Sequence, residues 1–183
     1  MKKRLTSFTA LFIFALGCST SADAQTSPQA RAMKELRDRL LTSSPEEVGL
    51  SGEDAEAKVW GVLMEVALPE GIATLVSIRD GTASLYTSTG GGILGGYTAR
   101  KEATQFVTEA EKHLASMKPA KSFPYPEVGR VKFYVLTRGG VYTAETDQKE
   151  AQDPRHPFYS LFLDGNKVLA VLGTVHKRSK PVD

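Results

Sequence analysis

The sequence predicts an α+β fold, a single antiparallel sheet of about five strands with helices packed against it. Three observations carry that expectation. Strand-like runs at 59–67, 72–78 and 83–88 are joined by connections too short for a parallel crossover. A second pair of runs, 131–137 and 141–146, flanks Gly139-Gly140 as a hairpin. Between the two groups, Ala99, Ala103, Phe106, Val107, Ala110, Leu114 and Met117 fall on one helical face.

The first helix of the folded part starts at Thr26-Ser27-Pro28, with Ser27 as the cap and Pro28 where a missing N–H costs nothing. Met33, Leu36 and Leu40 repeat at helical spacing, Glu35 and Arg39 pair at i, i+4, and Ser43-Ser44-Pro45 ends the helix. A short turn is expected at Leu50-Ser51-Gly52-Glu53-Asp54. The run 59–67 is apolar on both alternating faces, which is the pattern of a central strand covered on two sides. Pro69-Glu70-Gly71 turns the chain, and Asp80-Gly81 is the strongest hairpin signal in it.

The long amphipathic helix has only the sheet to cover, so Trp60, Val62, Leu75, Phe106 and Leu114 are expected in one core. A loop is expected at 119–126 and a polar, mobile excursion at 147–156. Beyond Pro157, the spacing of Val168, Val171, Leu172 and Val175 predicts a terminal helix weakest at Gly173, with a final strand as the alternative.

With 183 residues, the chain is about one domain long. Residues 1–24 read as a signal peptide. Lys2, Lys3 and Arg4 precede an uncharged apolar run too short to span a bilayer as a helix, and Ala22-Asp23-Ala24 offers small residues for cleavage before Gln25. Phe14-Ala15-Leu16-Gly17-Cys18 gives a second exit, since it resembles a lipobox in which Cys18 is acylated and anchors the protein. After the signal come an N-terminal helix and connector at 25–57, an α+β domain at 58–177 and a basic tail at 178–183. The expected location is therefore periplasmic or secreted, with membrane attachment only through lipidated Cys18. Cleavage before Gln25 also removes the one cysteine, which suits an oxidising compartment.

Removing residues 1–24 leaves 20 basic and 20 acidic residues, so the mature chain is neutral. Nucleic-acid binding through a broad basic field is disfavoured. One cysteine and three histidines disfavour a metal cluster. Only Lys177-Arg178-Ser179-Lys180, beside His176, is locally basic.

From Trp60 to Val141 the chain resembles uncharacterised bacterial exported proteins that share the Arg79-Asp80-Gly81, Gly90–Gly96 and Tyr134-Val135-Leu136-Thr137-Arg138 segments. The order of elements is similar to that of profilin-like and roadblock-like domains. These resemblances imply an exported domain with one helix-covered antiparallel sheet and imply no activity.

Two places invite a functional reading. Gly90, Gly92 and Gly95 satisfy G-x-G-x-x-G within a segment that includes Gly91 and Gly96, after a strand and before a helix, with Arg100 and Lys101 close by. Exposed backbone N–H groups and a helix N-terminus attract anions. A nucleotide is disfavoured, because the strands before the segment form a hairpin rather than a βαβ unit. No cofactor is therefore expected, and the choice lies between a connector and a weak small-ligand loop.

His156 lies near Asp153 and could act as a general base, though no nucleophile is readable beside it. His113 sits at the edge of the helical stripe, where packing or surface exposure is expected. Phe133, Tyr134, Tyr142, Phe158 and Tyr159 are core or, alternatively, a binding platform. The leading expectation is an exported, non-catalytic module that binds a small ligand or an envelope protein. The alternative is an exported hydrolase using His156 with an acid.

Overall fold

The computed structural model describes residues 27–178. The signal peptide, Cys18, Gln25 and the end of the basic tail lie outside the described residues, as do the side chains from Val175 onward, His176 among them. The fold is α+β with one antiparallel sheet. The sheet has seven strands rather than about five.

Helix α1 (Pro28–Thr42) begins as its sequence predicts, the Ser27 hydroxyl accepting from the Ala30 N–H at 3.0 Å. A short helix α2 (Gly52–Glu56) follows. Strands β1 (Val59–Leu68), β2 (Gly71–Ile78), β3 (Ala83–Thr87) and β4 (Gly92–Gly96) then run as a meander. Helix α3 (Arg100–His113) carries a 3₁₀ turn at Leu114–Ser116 and leads to the two-residue β5 (Lys118–Pro119). Strands β6 (Arg130–Thr137) and β7 (Gly140–Asp147) form the second hairpin, and helix α4 (Tyr159–Arg178) closes the described chain. The spatial order is β4-β3-β2-β1-β6-β7-β5, with every pair antiparallel.

The two unexpected strands have readable causes. β4 is Gly-Ile-Leu-Gly-Gly, with too few side chains to show a period of two. β5 ends in proline, which sequence reasoning assigns to a loop but which an edge position tolerates.

β1 lies at the centre, buried along nearly all its length, as its two-sided apolar pattern predicts. Its neighbours are Phe106, Val107, Ala110, Leu161 and Val168 of α3 and α4 on one face. Leu40, Leu41, Leu50 and Ala55, from α1, α2 and the link between them, cover the other. The seven stripe residues of α3 and its 3₁₀ turn are all buried.

One expected core member changes sides. Val62, Leu75, Phe106 and Leu114 share the α3–α4 face, but Trp60 packs with Leu41, Leu63 and Tyr134 on the α1 face. Between Val59 and Gly61 the β1–β6 register slips by one residue. That bulge breaks the alternation and turns the indole to the opposite side.

α1 is rotated relative to its expected face. Ala30, Arg37, Leu40 and Leu41 are buried, Leu36 is 39% exposed, and the i, i+4 pair is Lys34–Asp38 rather than Glu35–Arg39. The segment 147–156 is tied down rather than loose: Ala151 is buried without exposure, and the Gln148 N–H donates to the Gly129 carbonyl. α4 runs unbroken through Gly165 and Gly173, so the helix, not the alternative strand, forms there.

Candidate functional site

The glycine segment is the second arm of a hairpin. Gly90 N–H donates to the Thr87 carbonyl, Gly91 N–H to the Thr87 hydroxyl at 2.9 Å, and Gly95 N–H to the Ser84 hydroxyl at 2.8 Å. Gly92 lies so close to β3 that a Cβ there would meet the Leu85 carbonyl oxygen at 2.2 Å. Gly90 adopts a φ of +99° and abuts Gln29 and Ala30 at the start of α1. The three bonded N–H groups are thus spent within the hairpin and are not presented to an anion.

Arg100 makes its contacts at the neighbouring turn. Its stem lies against Gly81 in the β2–β3 turn, and its guanidinium sits 5.4 Å from the Tyr97 ring. The Tyr97 hydroxyl donates to Asp80 at 3.1 Å.

What the segment does present is a sheet edge. β4 is the outermost strand on its side and carries neither charge nor proline. Ile93 is half-buried against the core, whereas Leu94 and the following Tyr97 are 57% and 59% exposed. The opposite edge ends in Lys118-Pro119, a lysine and a proline of the kind that discourage strand pairing.

The two histidines whose side chains are described, His113 and His156, are engaged. His156 Nδ1 accepts from the Phe158 N–H at 3.2 Å, and Nε2 lies 3.1 Å from the Thr146 hydroxyl. Accepting at Nδ1 places the proton of the neutral ring on Nε2, facing Thr146. The Asp153 carboxylate bonds to Arg155, through Nε at 3.0 Å and Nη2 at 2.6 Å, and not to the imidazole. That guanidinium holds the Asp153 carboxyl below its ordinary range.

Sequence reasoning missed a trio across the α3–α4 interface. His113 Nε2 lies 3.0 Å from the Ser160 hydroxyl and 3.3 Å from Glu109 Oε1. Only i, i+4 spacing could have linked Glu109 to His113, and Ser160 is 47 residues further on. Acid and hydroxyl compete for one nitrogen here, whereas activating a serine needs the acid on the opposite nitrogen from the hydroxyl. Burial by itself would raise the Glu109 carboxyl, but Lys112 and the Ser160 hydroxyl outweigh it and hold the group below its usual range.

The expected aromatic platform divides. Phe133 and Tyr134 are buried on opposite faces of the sheet, and Tyr142, Phe158 and Tyr159 are half-buried. Tyr134 joins the polar link between α1 and the sheet, its hydroxyl donating to the Pro124 carbonyl at 2.7 Å. Burial, with the nearby Glu65 carboxylate, pushes that phenol up to about 12.

A groove of about 360 Å³ opens between the end of α1 and the β6–β7 turn. Its wall includes Leu41, Trp60, Arg138 and Val141. No protein-family model, curated protein or solved structure matches this chain.

Proposed function

We propose that the chain is an exported, non-catalytic binding module of the cell envelope, and that its docking element is the free edge of β4. A protein partner would add an extended segment there, main chain to main chain, as strand addition does at other open sheet edges. One observation carries this reading: an uncharged edge strand with Leu94 exposed, opposite an edge closed by Lys118-Pro119.

The binding reading is preferred to hydrolysis because both His156 nitrogens are engaged and Asp153 is held by Arg155. Export rests on the sequence of residues 1–24. Intact mass of the exported protein tests it: a chain beginning at Gln25 supports soluble release, and one beginning at acylated Cys18 supports the anchored form. A retained Met1 would overturn export.

The docking element is tested by placing a photo-crosslinking residue at Leu94 in cells, with Thr108 on the exposed side of α3 as control. The expected result is one discrete protein adduct from position 94 and none from 108. Gly96→Lys, where a Cβ meets open space, should suppress the adduct, as lysine does on natural sheet edges. Equal labelling at both positions would overturn the edge reading. A dimer of this chain alone would make the partner a second copy rather than another envelope protein.

A further inference from the structure

The free edge of β4 carries a definite pattern of unspent main-chain groups. The Thr87 N–H donates to the Gly91 carbonyl, while the Ser88 N–H donates the other way, to Ile72. Main-chain groups alternate sides along an antiparallel strand, so Gly91 and Ile93 turn theirs to β3, and Gly92 and Leu94 turn theirs to the open edge. The register slips between Ile93 and Gly96, where Gly95 takes a φ of +45°, so the regular edge is the stretch 91–94.

That stretch is complementary to itself. Opposed residues of an antiparallel pair share a face, so a two-fold axis relating two copies of the strand must pass through a residue position. With the axis at Ile93, Leu94 lies opposite Gly92 of the second copy, and each gives its outward N–H and carbonyl to the other. The glycine leaves room for Leu94, which is 57% exposed. Ile93, packed against the α3–α4 core, meets Ile93 of the second copy and carries that apolar layer across the axis. A two-fold axis also sets a strand against its own charges, so an edge that pairs with itself must carry none, and β4 carries none. At the far edge Lys118-Pro119 discourages further pairing, so growth closes at two copies rather than running on as a filament.

We propose that the occupant of the β4 edge is a second copy of this chain, joined by antiparallel β4–β4 pairing about Ile93. The inference rests on the reading of β4 as the docking element and names its partner.

The native chain has a single cysteine, so in a Cys18→Ser background any thiol is the introduced one. About the axis, the Cα atoms at 93 approach to about 4.5 Å, within disulfide reach, whereas those at 94 lie beyond about 7 Å. Ile93→Cys is therefore expected to give a disulfide dimer under mild oxidation, and Leu94→Cys and Thr108→Cys none. Sedimentation equilibrium of the mature protein should show a mass rising with concentration to twice the monomer and no further. Leu94→Lys, at an exposed position beside the axis, should raise the dimer Kd at least about tenfold with an unchanged amide spectrum.

A wild-type chain still monomeric at about 1 mM would overturn the proposal, whether or not Ile93→Cys folds. So would assemblies larger than two, or a disulfide at 94 with none at 93. If the chain is monomeric while position 94 still labels a different protein in cells, only the second copy falls and the docking edge stands. If position 94 labels nothing as well, both readings fall together.

Discussion

Arg37 and Glu65 meet across the α1–sheet interface with side chains only 3% and 0% exposed. Arg37 Nη2 donates to Glu65 Oε2 at 2.9 Å, and Nε donates to Oε1. The Thr74 hydroxyl donates to the same carboxylate at 3.1 Å, and Arg37 Nη2 also reaches the Phe123 carbonyl at 2.9 Å. The guanidinium lies 4.1 Å from the Tyr125 ring. Burial would lower the Arg37 pKa, but the Glu65 carboxylate outweighs it and holds the group charged, above its ordinary value. This pair sets the rotation of α1: turning Arg37 inward leaves Leu36 on the outside.

Removing one partner should therefore cost more than removing both. Glu65→Leu or Arg37→Met alone leaves an uncompensated buried charge, with an expected loss of about 3–5 kcal/mol. The apolar double variant Arg37→Met, Glu65→Leu is expected to recover most of that loss, because both desolvated charges vanish together. Urea denaturation of the four proteins measures the coupling; additive losses would show that the pair is not energetically linked.

Stability should decline in acid. Burial alone would raise the Asp38, Glu109 and Glu145 carboxyls, but their partners (Lys34 and Arg37, Lys112 and Ser160, Lys132 and Arg130) hold each below its usual value. A depressed folded pKa means that the unfolded chain binds more protons, so the stabilisation exists above the ordinary carboxylate pKa and is lost as pH falls through the folded one. The urea midpoint should be level from pH 7 to about 5 and fall steadily below about 4.5. Tyr134 acts at the other end: its raised pKa means that stability falls as pH climbs from 10 toward about 12. A midpoint unchanged at pH 3 would contradict the acid limb.

The same substitution should have opposite signs at two glycines of α4. A Cβ at Gly165 would lie 2.7 Å from Met64 Sδ and 3.2 Å from Phe106 Cζ, both in the core. Gly165→Ala is expected to destabilise by about 1–2 kcal/mol, overpacking exceeding the gain in helix propensity. Gly173 has nothing within 4 Å of that position, so Gly173→Ala should stabilise by about 0.5–1 kcal/mol. Thermal unfolding of the two variants decides it, and shifts of equal sign would show that the close approach at Met64 is not limiting.

The glycine hairpin should answer to sterics and not to phosphate. Gly92→Ala must push β4 away from the Leu85 carbonyl and should destabilise clearly, whereas Gly91→Ala, 3.3 Å from the Thr87 hydroxyl, should cost little. Phosphate at matched ionic strength should leave the Tm unchanged, since the N–H groups of Gly90, Gly91 and Gly95 are bonded inside the hairpin. An Arg100-dependent rise in Tm would restore the anion loop.

The sequence by itself determined the elements whose side chains repeat. The two-faced apolar run of β1, the Asp80-Gly81 turn, the Ser27-Pro28 helix start and the α3 stripe were legible because local spacing encodes which face is covered. Tertiary structure decided the rest. β4 is a strand because the β3–β4 hairpin bonds form, not because its glycines prefer one. Trp60 faces α1 because a one-residue slip against β6 reverses alternation, and pairing register is not written in β1 alone. Arg37 lies inside only because Glu65, 28 residues away, meets it there. Charges distant in sequence find each other only through the packing of the whole chain.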